Sequence, residues 1–175
     1  MKLLVSERST ADLGYIGETY VIAKLICDYN IVSVKVPQQF FSYDLITNNN
    51  KRLEVKTARP ISKEKRYKKK TYKWLVWQFT RQPRQIRPES LSNFVVCVAF
   101  ESQELSETPL CFIIPSDKLV NPKTRKPLQV WSIKKKPKTR ESSKYWEYKN
   151  RWDLITNKDN KKAEMQSPTP KFFVL

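Results

Sequence analysis

Histidine is missing from all 175 residues. That excludes Ser-His-Asp and Cys-His catalysis, histidine metal sites, and every nuclease that uses histidine as general base. Any chemistry must run on carboxylates, Lys, Arg, Tyr or Ser. Cysteine is scarce and odd in number, with Cys27, Cys97 and Cys111 in apolar stretches and no CxxC spacing. Buried free thiols are expected there, rather than disulfides or zinc ligands. Long apolar runs are lacking too: Phe94 to Phe100 is strand length, far below the ~20 residues a membrane helix needs. Met1 to Val5 is too short for the apolar part of a signal peptide, and Glu7 and Arg8 interrupt it. A cytoplasmic, nucleoid-associated protein with no membrane partner is expected.

Acidic residues are outnumbered, 17 against 34 Lys plus Arg, for a formal charge of +17. Such a surface repels itself unless a polyanion neutralises it, and nucleic acid is the leading candidate. The length suits one domain with a proper core. The composition divides into a domain over 1–155 and a polar tail over 156–175. Within the domain we expect a core over about 12–120, basic arms at 61–73 and 121–140, and a closing helix over about 143–155.

Ser9-Thr10-Ala11-Asp12 has capping-box spacing, and Leu13, Ile16, Tyr20, Ala23 and Cys27 then recur at three and four residues. The pattern predicts a helix from about Asp12 to Tyr29. Both glycines, Gly14 and Gly17, fall in its first turns and flank Glu18. Glycine there costs about 1 kcal/mol against Ala, so a close approach is expected, for packing or for function. Three short strands follow, Ile31 to Val36, Tyr43 to Thr47 and Arg52 to Thr57, with Asn48-Asn49-Asn50 as the last turn. Strand alternation puts Leu53, Val55 and Thr57 on one face and projects Glu54 and Lys56 together from the other.

Lys63 to Lys73 holds seven Lys or Arg against one Glu, which predicts a solvated loop or DNA-facing arm. Trp74 to Phe79 is a strand with Leu75, Trp77 and Phe79 on one face. Asn93 to Phe100 and Leu110 to Ile114 are expected as buried strands, and Ser116 to Val120 as the start of a short helix.

Glu18, Asp44 and Glu54-Val55-Lys56 form the constellation that carries chemistry. Hydrolysing a phosphodiester calls for a hard cation against the developing charge, and Mg²⁺ binds one or two carboxylates while keeping its waters. Asp44 and Glu54 on neighbouring strands supply such a pair, with the Val55 carbonyl a further candidate ligand. Lys56 beside Glu54 is suited to orient water or stabilise the phosphorane-like charge. The bland alternatives are an exposed Glu54–Lys56 ion pair, a turn-starting Asp44 and a solvated Glu18.

From Gly17-Glu18 through Tyr43-Asp44-Leu45-Ile46 to Leu53-Glu54-Val55-Lys56-Thr57 the chain resembles the PD-(D/E)XK, or restriction-endonuclease-like, nuclease superfamily. Tyr43 stands where the family name has proline. The resemblance implies an α/β fold with a mixed central sheet flanked by helices, over roughly 12 to 120. It also implies that Asp44 and Glu54 are metal ligands for Mg²⁺, with Mn²⁺ as substitute, Lys56 the catalytic lysine and Glu18 an accessory acid.

DNA is then the expected partner. Phosphate contacts are expected from Lys63, Lys65, Arg66, Lys68, Lys69 and Lys70 and from Lys134, Lys135 and Lys136, with Gln78, Arg81 and Arg84 also reaching the substrate. One small site cuts one strand, so double-strand cleavage or junction resolution calls for a symmetric homodimer. In the tail, Gln166, Phe172 and Phe173 fall on a pattern similar to the sliding-clamp-binding peptide. Restriction, homing, junction-resolving and repair roles stay open, as does a non-catalytic nucleic-acid-binding protein.

Overall fold

The computed structural model describes residues 10–37, 42–67, 70–81, 92–135 and 145–156. Lys68, Lys69, Arg84, Lys136, Gln166, Phe172 and Phe173 lie outside the described residues.

Helix α1 spans Thr10–Tyr29. It ends at Asn30, whose positive φ of 55° accompanies Asn30 N–H donating to the Ile26 carbonyl and Ile31 N–H to the Leu25 carbonyl. Asparagine tolerates this left-handed position and so closes the helix. Val21 and Leu25 are fully buried, contributing about 1.5–3 kcal/mol each from side-chain burial. The buried stripe therefore runs through 17, 21 and 25, whereas Ala23 and Cys27, expected on it, are exposed. Gly17 sets that rotation by letting the helix approach the sheet at one point.

Strands β1 (Ser33–Lys35), β2 (Leu45–Thr47), β3 (Arg52–Ala58), β6 (Phe94–Ala99) and β7 (Leu110–Pro115) form one sheet in that order. It is mixed: β3 and β6 are parallel, with Leu53 beside Phe94 and Ala58 beside Ala99, and the other pairs are antiparallel. The expected Asn48–Asn50 turn is present. Thr47 N–H donates to the Lys51 carbonyl, Lys51 N–H donates to Thr47 Oγ1, and Asn50 adopts φ 61°.

A parallel pair needs a long crossover. Here the crossover contains β4 (Ile61–Tyr67) and β5 (Lys70–Thr80), which with β8 (Val130–Lys135) build a second, three-stranded sheet in the order β4-β5-β8. Residues 63–67 and 70–73 are thus paired strands, not a loop, with pairs from Ile61 with Val76 to Tyr67 with Lys70. Backbone pairing does not require a buried face, and residues 61–66 and 70–73 are exposed throughout. β8 also lies inside what reads as a basic arm. Its lysines obscure an alternating core, in which Trp131 and Ile133 are buried beside Phe79 and Trp77.

Each face of the five-stranded sheet covers its own core. On one side α1 meets Leu45, Leu53, Val55, Val96, Val98 and Ile113, with Trp152 and Ile155 closing the layer. On the other, Trp77, Phe79, Trp131 and Ile133 of the second sheet pack on Val95, Cys97, Ala99, Phe112 and Ile114. Trp77 Nε1 also donates to the Phe100 carbonyl at 2.6 Å. Helices therefore cover one face and a sheet the other, which corrects the expectation of helices on both. The expected closing helix is a 3₁₀ turn at Trp146–Tyr148 and a four-residue α2, Asp153–Thr156. Likewise Ser116–Lys118 is a single 3₁₀ turn. No helix among the described residues is long and apolar enough to cross a membrane.

Candidate active site

The ladder between β2 and β3 ends at Leu45 opposite Leu53. Beyond it Asp44 N–H still donates to the Leu53 carbonyl at 2.8 Å, but the Val55 N–H donates to Asp44 Oδ2 at 2.7 Å. A carboxylate thus replaces the next backbone rung as β2 parts from β3. The N–H and C=O of one strand residue point to the same side, so the Val55 carbonyl also faces the gap where the strands separate. Burial is the largest influence on the Asp44 carboxyl and raises its pKa. The Val55 N–H and the Lys56 charge oppose the rise, while Glu18 and Glu54 add to it.

Glu54 and Lys56 project from the opposite face to Leu53 and Val55. They stand beside Val95 and Cys97 of β6, at the margin of the core between the sheets. Lys56 Nζ lies 3.3 Å from Glu54 Oε1. The Glu54 side chain is only 6% exposed, and a buried carboxylate needs full pairing. That pairing comes from Arg81 at the end of β5, whose Nε donates to Oε1 at 3.0 Å and Nη2 to Oε2 at 2.5 Å. Arg81 N–H is fixed by the Gln129 carbonyl at 2.7 Å, and the guanidinium lies 5.7 Å from the Trp131 ring centroid.

The basic composition around Arg81 places it among the residues expected to reach DNA; in the structure its side chain is 10% exposed and turned inward onto Glu54. The signal for this lies in the alternation, because Trp77, Phe79 and Arg81 share one parity of β5. Glu18 belongs to α1, on the other layer from Glu54 and Lys56. Its carboxylate is held by Lys35 of β1 at 2.9 Å, and Lys35 in turn lies 4.0 Å above the Tyr15 ring. Sequence reasoning does not single out Lys35. Among the described residues no three Asp, Glu or Cys side chains gather as metal donors. The Asp44 carboxyl holds the Val55 N–H, and the charges of Glu18 and Glu54 both act on it.

The two expected basic arms meet on one sheet. Lys63, Lys65, Arg66 and Lys70 are exposed on the β4–β5 ribbon, and Gln78 is exposed further along β5. Lys134 and Lys135, opposite Val76 and Leu75, are exposed at the end of β8 beside the ribbon's base. Lys135 also pairs with Glu101. Acidic relief is slight: Lys73 and Glu64 are 3.9 Å apart and both exposed, an ion pair of little energetic weight.

No protein-family model matches the chain, and no curated protein matches it in sequence. A solved structure does match. The fold is similar to that of a bacterial homing endonuclease, I-Ssp6803I, with a TM-score of 0.56 over 91% of this chain and 100% of that one. The two share 18% sequence identity, so the likeness is one of fold.

Proposed function

We propose that this protein is a Mg²⁺-dependent DNA endonuclease of the PD-(D/E)XK type. The observation that carries the reading is the Asp44 carboxylate at the parting of β2 and β3, holding the Val55 N–H beside Glu54 and Lys56. The donor set fits the ion. Its ligands are hard oxygens, two carboxylates and a backbone carbonyl, and Mg²⁺ is satisfied by one or two carboxylates with waters completing an octahedron. When bound, it supplies charge neutralisation at the phosphate and a more acidic water.

Asp44 and Glu54 would hold the ion, and the Val55 N–H fixes the orientation of the Asp44 carboxylate. Lys56, 27% exposed along its side chain, orients the attacking water or meets the phosphate charge that builds in the transition state. Glu18 acts at one remove, through its charge on Asp44. The exposed ribbon and the end of β8 take the DNA backbone by counterion release, and a two-stranded ribbon is also of a size to enter the major groove. Similarity of fold to a homing endonuclease supports DNA as substrate, and a symmetric pair of chains supplies the second active site for duplex cleavage.

The test is Mg²⁺-dependent cleavage of supercoiled plasmid, linear duplex, single strand and four-way junction by wild type, Glu54→Gln and Lys56→Ala. Loss of cutting in both variants, with DNA binding retained, is the expected result. Undiminished cutting by both variants refutes the assigned site. Tight DNA binding in wild type with no Mn²⁺ binding to the protein refutes the enzyme and leaves a non-catalytic binder.

A further inference from the structure

The candidate site already holds cations beside its carboxylates. Asp44, Glu54 and Glu18 contribute three negative charges. Lys56, Arg81 and Lys35 contribute three positive ones, each within ion-pair range of Glu54 or Glu18. A divalent cation placed on Asp44 and Glu54 therefore adds positive charge to a site that already holds three cations. It also meets a Glu54 whose two oxygens are both taken by the Arg81 fork.

We infer that Arg81 is an exchangeable counter-cation: it holds Glu54 in the metal-free protein, yields that carboxylate to the divalent ion, and turns its freed N–H groups to a phosphate of bound nucleic acid. The inference rests on the proposed metal site. Three physical points support it. Without Arg81 the buried Glu54 keeps only Lys56, on Oε1, and loses the partner of Oε2, so Arg81 leaves only as another cation arrives. A planar guanidinium that fits a carboxylate in bidentate fashion fits a phosphate equally well. Arg81 is tethered at its backbone to Gln129 and guided by the Trp131 face, so its head group moves locally rather than out into solvent.

Metal and nucleic acid then assist each other, because the phosphate both receives Arg81 and offsets the added charge. Such coupling is reciprocal. Free protein binds the ion weakly, and the substrate completes the site. Arg81 is a positioning residue in the free protein and joins the substrate-binding groups only in the complex.

The experiment is calorimetric titration of Mn²⁺ into the full chain as wild type, Arg81→Gln and Asp44→Asn, each with and without a phosphorothioate duplex that resists cleavage. Wild type is expected to bind Mn²⁺ about tenfold more tightly in the presence of duplex, within the usual range of coupling between sites. Arg81→Gln is expected to bind Mn²⁺ about tenfold more tightly than wild type in the absence of duplex, and to lose most of the duplex effect. Its melting temperature in EDTA should fall, and Mn²⁺ should raise it by more than it raises wild type. If Arg81→Gln does not fold, Arg81→Lys makes the same comparison, retaining charge without the fork. Equal Mn²⁺ affinity for wild type and the Arg81 variant without duplex, both abolished by Asp44→Asn, overturns the exchange and leaves the metal site standing. Absence of Mn²⁺ binding by every protein, with or without duplex, overturns the metal site and the exchange together.

Discussion

The two glycines of α1 should respond in opposite directions to the same substitution. A Cβ built on Gly17 falls 1.8 Å from Thr57 Oγ1, 3.0 Å from Thr57 Cβ and 3.2 Å from Thr57 Cγ2. Ordinary van der Waals contact begins at 3.4 Å, so Gly17→Ala is about 1.6 Å short of room on the oxygen alone. Rotating Thr57 does not free the site, because its own Cβ is already too close and the methyl group takes the oxygen's place. The helix must move off β3, the strand that carries Glu54 and Lys56. Overpacking of this kind costs about 1–3 kcal/mol, and about 2 kcal/mol lowers the melting temperature of a chain this size by about 4–8 °C. A Cβ added to Gly14 meets nothing within 4 Å, and the residue has no positive φ. Gly14→Ala should therefore stabilise by about 0.5–1 kcal/mol through helix propensity. The assay is urea unfolding of both single variants and of Gly17→Ala combined with Thr57→Ala. The combination removes the oxygen and methyl clashes and should recover at least half the loss. A Gly17→Ala protein as stable as wild type, or a loss that Thr57→Ala leaves untouched, would refute the close approach of α1 to β3.

Burial raises the Asp44 pKa from its ordinary value of 3.8, so folding favours the protonated form. Its stabilising contribution is full below that ordinary value and is lost as pH rises through the folded one. In metal-free buffer, the stability of Asp44→Asn relative to wild type should therefore increase as pH rises from about 4 to 7; urea unfolding across that range checks it, and a flat or falling difference contradicts it. Cys27 is exposed, while Cys97 and Cys111 are buried, and burial pushes the Cys111 thiol up to about 12. A thiol reagent should label one cysteine per native chain and three after denaturation, counted by mass spectrometry. Replacing Lys63, Lys65 and Lys70 with Ala should weaken DNA binding uniformly across sequences, with the slope of log affinity against log salt shallower by about 0.9 for each phosphate no longer neutralised. An unchanged slope would remove the ribbon from the interface.

What the sequence disclosed of the fold follows from local rules with one period. Alternation put Glu54 and Lys56 on one face of β3 and Leu53 and Val55 on the other, and the structure places them so. The Asn48–Asn50 turn and the six strands expected outside the basic segments were legible for the same reason, though β1 and β2 are shorter than expected and pair over only three residues, while β5 is longer. Charge concealed the remainder. Lysines dominate both basic segments, yet backbone pairing is indifferent to side-chain polarity, so 63–67, 70–73 and 134–135 are strand. The rotation of α1 is set by the approach of Gly17 to Thr57, far away in sequence, which helical spacing cannot report. Arg81 looks like a surface cation because the local composition is basic; its inward placement depends on the sheet-to-sheet packing that carries β5 over Glu54.

The insertion of the ribbon within the β3-to-β6 crossover separates two design problems. Residues 61–67 and 70–76 form their own ladder, while the β3–β6 pairing that supports Glu54 and Lys56 is fixed by Leu53 beside Phe94 and Ala58 beside Ala99. Two residues added symmetrically at the hairpin tip would keep the side-chain alternation of both strands and leave the five-stranded ladder where it is. The ribbon is thus an interchangeable part. Lineages or engineers can change its reach and its chemistry while the carboxylates, the lysine and the strands that hold them stay the same.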